Sequence, residues 1–292
     1  MISFHLCRGI IAAALLATPS FAQTPLSLPL LEGEGTSQAM ALPLDTEGHY
    51  ATIGVVGADA KTATSGEDKF TFLAQDPQSR FTLLKGPKLE EAPALGLSKN
   101  LKPGSALYQK NDQSGSPLRV VSRETYFHDQ LLPLEFLRVA YRGNLPKPGQ
   151  PLFDEAGKLV ALAHQPTSDF GTGIYALPIE AVSRNLADFQ KNGSLKRCWL
   201  GLHLDSSNPI PLIEGIRPES PSAKVGLKKG DILLNLGGWP ITTYSSSINA
   251  FYYLLPGLET DLHILRGTEV LKLKITPVAH PGYIGIPQKP KE

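Results

Sequence analysis

Residues 220–241 read SPSAKVGLKKGDILLNLGGWPI, and this stretch decides the fold of the C-terminal part of the chain. It places Ser-Pro, Gly-Leu and Gly-Asp pairs at short fixed intervals, followed by a run rich in Ile and Leu that ends in Gly-Gly. Glycine pairs are turn signals, and a short apolar run between turn signals is typical of a β-strand. The pattern therefore predicts a strand between two turns, within a unit of its own.

That unit covers residues 195–279, in which we expect further strands, a hairpin around Arg266-Gly267 and one helix at about Ser245–Leu255. The preceding residues, 45–194, contain seven short β-prone runs separated by turn residues. Short strands at this spacing indicate an all-β barrel or sandwich. Apolar residues at helical spacing over 178–192 predict one helix that closes this domain.

Three shorter segments complete the organisation. Residues 23–44 mix Pro, Leu and small residues without a period, which predicts an extended lead-in, and residues 280–292 form a C-terminal tail. The first 22 residues have Arg8, an apolar run and a Ser20-Phe21-Ala22 ending, as a secretory signal peptide has. We therefore expect an exported protein, periplasmic or secreted, and its apolar run is too short to span a membrane.

Composition narrows the classes of function. The chain has 28 Lys and Arg against 27 Asp and Glu, which gives no electrostatic footprint for nucleic acid. Of the two cysteines, Cys7 lies in the signal peptide, so Cys198 has no partner for an internal disulfide. No His or Cys pair has metal-ligand spacing, so we expect no metal site, no cofactor and no membrane span in the mature chain.

Four stretches resemble the HtrA (Deg) family of exported serine proteases. FLRVAYRGNLPKPGQPLF resembles the family's active-site loop, QSRFTLLKG its acidic strand, and GTGIYALPIEAV the segment that leads into its last helix. NGSLKRCWLGLHL, together with residues 220–241, resembles the linker and core of its PDZ domain. The resemblance implies a mainly β protein with a chymotrypsin-like double β-barrel followed by a PDZ domain.

The resemblance places catalytic positions on residues that lack catalytic groups. Pro148 stands at the position of the nucleophilic serine, Arg80 at that of the aspartate and Gly54 at that of the histidine. The serine-protease mechanism needs a hydroxyl, an imidazole and a carboxylate acting together. The expectation is that no catalytic residue remains at these positions, and a site rebuilt from other residues is the alternative.

The PDZ unit keeps the residues for peptide binding. In PDZ domains a peptide adds to a sheet edge while backbone N–H groups of an apolar-Gly-apolar loop hold its carboxylate. Residues 199–202 match that loop, and an apolar stripe of the 245–255 helix would form the facing wall, although simple core packing of the stripe is the alternative. The expected peptide-binding residues are Trp199, Leu200, Gly201, Leu202, Ile248, Phe251, Tyr252 and Leu255.

These inferences favour an exported pseudoprotease, not an enzyme, that binds peptides or protein C-termini through its PDZ domain. Active HtrA-type proteases are further expected partners, with a role in protein quality control, and the oligomeric state is left open. One alternative is an active serine-type endopeptidase of the HtrA family with a noncanonical site. Another is a structural module whose PDZ groove is closed.

Overall fold

The fold was taken from a computed structural model, which describes residues 24–29, 36–54, 56, 61–110, 113, 115–127, 130–167 and 173–282. The expected signal peptide and the last ten residues of the tail lie outside the described residues.

The first six strands close into a barrel. Their order around it is β1-β2-β3-β6-β5-β4, all pairs being antiparallel. The strands are β1 (Thr24–Pro29), β2 (Thr36–Pro43), β3 (His49–Ile53), β4 (Thr62–Ser65), β5 (Asp68–Asp76) and β6 (Phe81–Lys85).

The expected lead-in at residues 23–44 is therefore wrong, because β1 and β2 belong to this barrel. Strand β1 pairs with β2 along its whole length and meets β4 at Ser27 and Thr64. That second pairing is what closes the barrel, so the domain begins at Thr24 and not at about residue 45.

A second six-stranded sheet follows, in the order β10-β11-β12-β9-β8-β7. Next to its two edge strands, Tyr108 and Phe153 exchange two backbone hydrogen bonds of 2.8 Å each, which brings the edges together. The strands are β7 (Ala106–Leu107), β8 (Leu118–Phe127), β9 (Gln130–Ala140), β10 (Pro151–Phe153), β11 (Leu159–Pro166) and β12 (Gly173–Pro178).

One helix, α1 (Ile179–Asn192), follows the second sheet, as the periodicity predicts. Pro178 precedes its first turn, and Gly193 ends it in the left-handed conformation at φ +64°. Glycine adopts that conformation without steric cost, which is why it so often ends a helix. The apolar face of α1, with Ile179 and Val182, packs on the core of the barrels.

The C-terminal unit has its own apolar core beneath a four-stranded sheet ordered β17-β16-β18-β19. Two pairs of short strands, β13 with β20 and β14 with β15, flank it. The strands are β13 (Cys198–Trp199), β14 (Leu202–Leu204), β15 (Ile213–Ile216), β16 (Ile232–Leu236), β17 (Trp239–Pro240), β18 (Thr260–Arg266), β19 (Glu269–Ile275) and β20 (Val278–Ala279).

Two helices complete this unit, α2 (Pro221–Lys224) and α3 (Tyr244–Tyr252). Helix α3 starts with a capping box, in which Thr243 and Ser246 each bond the other's backbone N–H. It ends three residues before the expected Leu255. No helix of the described residues is long and apolar enough to cross a membrane.

Candidate functional site

The position expected for a nucleophile is held against the first barrel. The backbone N–H of Met40 donates to the carbonyl of Pro148 at 2.7 Å. Gly149 next to it has φ +78°, and a Cβ there would lie 2.1 Å from the Met40 carbonyl oxygen. The loop is thus tightly packed on strand β2, and Pro148 offers neither a hydroxyl nor an N–H.

The fold brings the other two matching positions together. The N–H of Gly54 donates to the carbonyl of Arg80 at 2.8 Å, and Arg80 has the uncommon φ of +55° for a non-glycine residue. The Arg80 guanidinium donates to Gln165 Oε1 at 3.0 Å. A fixed positive charge therefore occupies the place where an orienting carboxylate would lie.

His164 is the histidine nearest to this charge among the described residues whose pKa responds to Arg80. Burial, and then the Arg80 charge, lower the pKa of His164 to about 4, so the ring is neutral at pH 7. Its Nε2 lies 3.0 Å from the Ser79 carbonyl, which makes Nε2 the donor and leaves the buried Nδ1 without a partner. In the described part of the chain, no histidine ring nitrogen bonds a serine hydroxyl.

The loop expected to hold a peptide carboxylate is formed. Leu200 is buried and Gly201 has φ +76°. The Gly201 carbonyl accepts the N–H of Arg217 at 2.7 Å, and the Leu200 carbonyl accepts the N–H of Ser222 at 3.0 Å. Both carbonyls thus point into the domain, and this anchoring sets the course of the chain into β14.

The need for glycine at 201 has a different cause from the one expected. A Cβ at Gly201 would lie 2.1 Å from Cβ of Ser220, the residue that caps helix α2. Close approach of α2 to the loop therefore requires glycine there, whether or not a ligand is bound. A side chain added at 201 tests the stability of the domain before it tests binding.

Strand β14 presents an open edge. It pairs only with β15 among the described strands, with Leu202 opposite Ile216 and His203 opposite Gly215. Since the Gly201 carbonyl bonds towards β15, alternation directs the backbone N–H and C=O of Leu202 to the other edge. An unpaired edge of this kind is a template for one more strand.

The four helix residues expected to line the groove go to different places. Ile248 and Phe251, both half-buried, line a cavity of about 610 Å³ together with Cys198. Tyr252 touches this cavity but is 3% exposed and belongs to the core shared with the barrels. Leu255 lies after the end of α3 and is not among the residues that line the cavity.

The far wall of this cavity comes from the second barrel. Leu131, Leu132 and Pro133 of β9 face the PDZ helix across it, and His280 and Gly282 close one side. The sequence gives no local signal for this wall, because nothing in a strand pattern indicates which helix will pack beside it. Burial raises the pKa of the Cys198 thiol to about 12, so the thiol is neutral and a poor nucleophile.

A buried polar network joins the two units on the other face of α3. Tyr252 donates its hydroxyl proton towards Asp76 Oδ2 and Ser79 Oγ, both at 3.2 Å. Arg197 holds both carboxylate oxygens of Asp76, at 2.6 and 2.7 Å, and its guanidinium lies 4.4 Å from the centre of the Tyr252 ring. Burial raises the pKa of Asp76, but the Arg197 charge and the hydrogen bonds outweigh it and lower the pKa overall.

Two further contacts extend this interface. The backbone N–H of Glu135 donates to Asn249 Oδ1 at 2.8 Å, and Thr125 donates to Ser245 at 3.2 Å. Ser245, Asn249 and Tyr252 share the face of α3 that meets the barrel. We call these contacts, together with Asp76 and Arg197, the barrel–PDZ interface.

No group of His, Cys, Asp and Glu side chains in the described ranges is arranged to hold a metal ion.

Comparison with known proteins bears on this arrangement. Residues 199–276 match the family model described as PDZ domain. A relative from Pseudomonas fluorescens strain Pf-5, named "Probable periplasmic serine endoprotease DegP-like", is 26% identical over 274 residues, which are 85% of this chain and 57% of the relative. A relative of the same name from Pseudomonas fulva strain 12-X is 27% identical, over 83% of this chain and 56% of the relative.

This chain belongs to the HtrA family. Among solved structures, "HtrA-type protease AlgW with tripeptide" aligns with a TM-score of 0.64 at 18% identity, over 90% of this chain and 95% of that one. A serine endoprotease from Yersinia pestis aligns with a TM-score of 0.54 at 16% identity, over 89% and 94%. The expected double barrel followed by a PDZ domain is confirmed. This HtrA-family chain spans somewhat more than half the length of the curated relatives it matches.

The expectation that this chain is not an enzyme is contradicted. The relatives are named serine endoproteases and the solved neighbours are named proteases. That expectation rested on the identity of three residues, whereas the similarity extends along both barrels and the PDZ domain. The identities of Gly54, Arg80 and Pro148 still limit which groups can carry a reaction.

Proposed function

We propose that this HtrA-family chain is an exported protein that binds the C-terminal segments of polypeptides in the groove between β14 and α3. The open edge of β14 beside the cavity lined by Ile248 and Phe251 is the observation that supports this function most directly. The edge offers backbone hydrogen bonds for an added strand, and the cavity offers space for an apolar side chain. A periplasmic location is supported by the names of the relatives.

The solved structures that share the fold add support from a second side. Two of them are titled as the protease AlgW with a tripeptide and with a decapeptide. Their identity to this chain is below a fifth, so the ligand class is proposed here from the site itself. A short extended peptide ending in an apolar residue with a free carboxylate fits the β14 edge, the loop at residues 199–202 and the cavity together.

The test is a comparison of a free and an amidated peptide. We expect a fluorescein-labelled decapeptide ending in Leu to bind the chain with a Kd on the order of micromolar, because the peptide must be ordered on binding. Amidating its C-terminus should weaken binding about tenfold or more, since it removes a charge held by backbone N–H groups. Fluorescence anisotropy measures both constants.

A pair of variants assigns the binding to this groove. Phe251→Ala should weaken binding of the free peptide, because it removes a wall of the cavity. Leu258→Ala, at a residue 51% exposed and away from the cavity lining, should leave binding unchanged. Equal affinity for the free and amidated peptides would contradict carboxylate binding, and equal affinity of the two variants would place the peptide elsewhere. Melting curves establish that both variants are folded.

A second candidate function is hydrolysis of peptide bonds by the double barrel, which the names of the relatives favour. Because Pro148 has no hydroxyl, this activity requires a nucleophile at another position. Because Arg80 carries a positive charge, the base must be oriented by a group other than the side chain at position 80. Gly54 has no side chain, so it provides no base either.

Serine-directed labelling tests this second function. We expect a fluorophosphonate to label one serine, which mass spectrometry would locate, and replacement of that serine by alanine should lower casein hydrolysis about a thousandfold or more. Pro148→Ala should change the rate by less than about twofold, because Pro148 supplies no catalytic group. A chain that neither labels nor cleaves casein above the rate in buffer alone would refute the hydrolase.

A further inference from the structure

The C-terminal end of the described chain leads into the cavity beside α3. Strand β20 pairs with β13, with Ala279 opposite Cys198, and the N–H of His280 donates to the Arg197 carbonyl at 2.8 Å. His280 and Gly282 then line the cavity itself. The chain is therefore fixed at the cavity wall up to Gly282, and the next residue in sequence is Tyr283.

The residues that follow suit this cavity chemically. Residues 283–286 read Tyr-Ile-Gly-Ile, three large apolar residues around one glycine, and the later residues 287–292 are polar or proline. Most of the cavity wall is apolar, from Leu131 to Pro133 on one side and from Ile248 and Phe251 on the other. At about 3.3–3.6 Å per extended residue, the four residues reach some 13 Å, enough to cross a cavity of this size.

Covalent attachment makes such binding effective even when the contacts are weak. A segment joined directly to the wall has an effective concentration in the millimolar range, which exceeds that of a dilute external peptide. We propose that Tyr283–Ile286 binds in this cavity as an internal ligand and competes with external peptides for the wall formed by Ile248 and Phe251. The competition, though not the binding of the segment itself, rests on the function proposed above.

Direct placement of the segment is tested without any external ligand. We expect a benzoylphenylalanine introduced at Tyr283 in the full chain to crosslink on illumination to residues 131–133, Ile248 or Phe251, as mapped by mass spectrometry. The same photoreactive residue at Lys289 is the matched control and should not give these crosslinks. Crosslinks from position 283 only to other surfaces would overturn the proposal.

Competition is tested by binding. In the triple variant Tyr283→Ser, Ile284→Ser, Ile286→Ser, the free decapeptide should bind about tenfold more tightly than in the unaltered chain. A control variant with Gln288, Lys289 and Lys291 changed to Ser should bind as the unaltered chain does. Unchanged affinity in the triple variant would overturn the competition. If the decapeptide binds neither chain, the proposed function fails, and the crosslinks alone decide where the segment lies.

Discussion

Asp76→Asn should destabilise the whole chain by about 3–5 kcal/mol, because it leaves the Arg197 guanidinium buried without its counter-charge. Asp76 is 1% exposed, and it accepts hydrogen bonds from Arg197, Ser79 and Tyr252. For a chain of this size we expect the Tm to fall by roughly 6–20 °C in differential scanning calorimetry.

Glu47→Gln is the matched control for this prediction. Glu47 forms an ion pair with Lys88 at 2.9 Å, but both side chains are more than 60% exposed. Exposed pairs of this kind add little to stability, so the Tm of this variant should stay close to that of the unaltered chain. Equal Tm values for Asp76→Asn and Glu47→Gln would show that the buried pair does not stabilise the fold.

The Asp76 carboxyl also contributes to the dependence of stability on pH. Its pKa is lower in the folded than in the unfolded chain, so its contribution is complete above the unfolded value of about 4 and is lost as the pH falls through the folded value. The neutral, buried His164 adds its own loss of stability between about 6.5 and 4. We expect Asp76→Asn to keep the loss due to His164 and to lack the part below pH 4.

Gly201→Val should unfold the PDZ domain at much lower denaturant than the unaltered chain requires. Backbone at φ +76° strains any β-branched residue, at a cost of about 1–3 kcal/mol. The added Cβ would also lie 2.1 Å from Cβ of Ser220, and overpacking of this kind costs about 1–3 kcal/mol more. Both tryptophans, Trp199 and Trp239, lie in the PDZ domain, so their fluorescence in urea reports its unfolding.

Gly226→Val separates the two causes. Gly226 has nearly the same φ, +74°, but a Cβ there would meet no atom within 4 Å. This variant therefore carries the backbone strain without the contact with Ser220, and its urea midpoint should fall between those of the unaltered chain and Gly201→Val. If the two variants have the same midpoint, the close approach of α2 to the loop has no energetic weight.

Local signals were sufficient for much of this fold. The glycines and apolar residues of 220–241 predict the turns around β16, and the periodicity over 178–192 predicts α1. Residues 24–43 could not be interpreted in the same way, because their prolines and small residues hide the strand period. Their pairing is imposed by β3 and β4, which lie later in the chain.

The candidate site shows the same limit at the level of single residues. Phe251 and Tyr252 were expected on one face, but successive helical residues are rotated by about 100°. Phe251 therefore lines the cavity, while Tyr252 meets Asp76, which is 176 positions away in sequence. A contact at that separation leaves no trace in a local pattern, so the barrel–PDZ interface could be found only from the folded chain.

The network around Tyr252 makes the PDZ domain of this chain a poor candidate for domain exchange. A chimera that receives the PDZ domain of a relative would leave Asp76 in the barrel, facing a helix that lacks its hydroxyl and a linker that lacks its guanidinium. Grafting in the opposite direction would place Tyr252 and Arg197 on a surface without a carboxylate. Inheritance of the two parts is therefore coupled: Asp76, Arg197 and Tyr252 have to be transferred as a set, across a boundary that sequence families treat as the edge of a module.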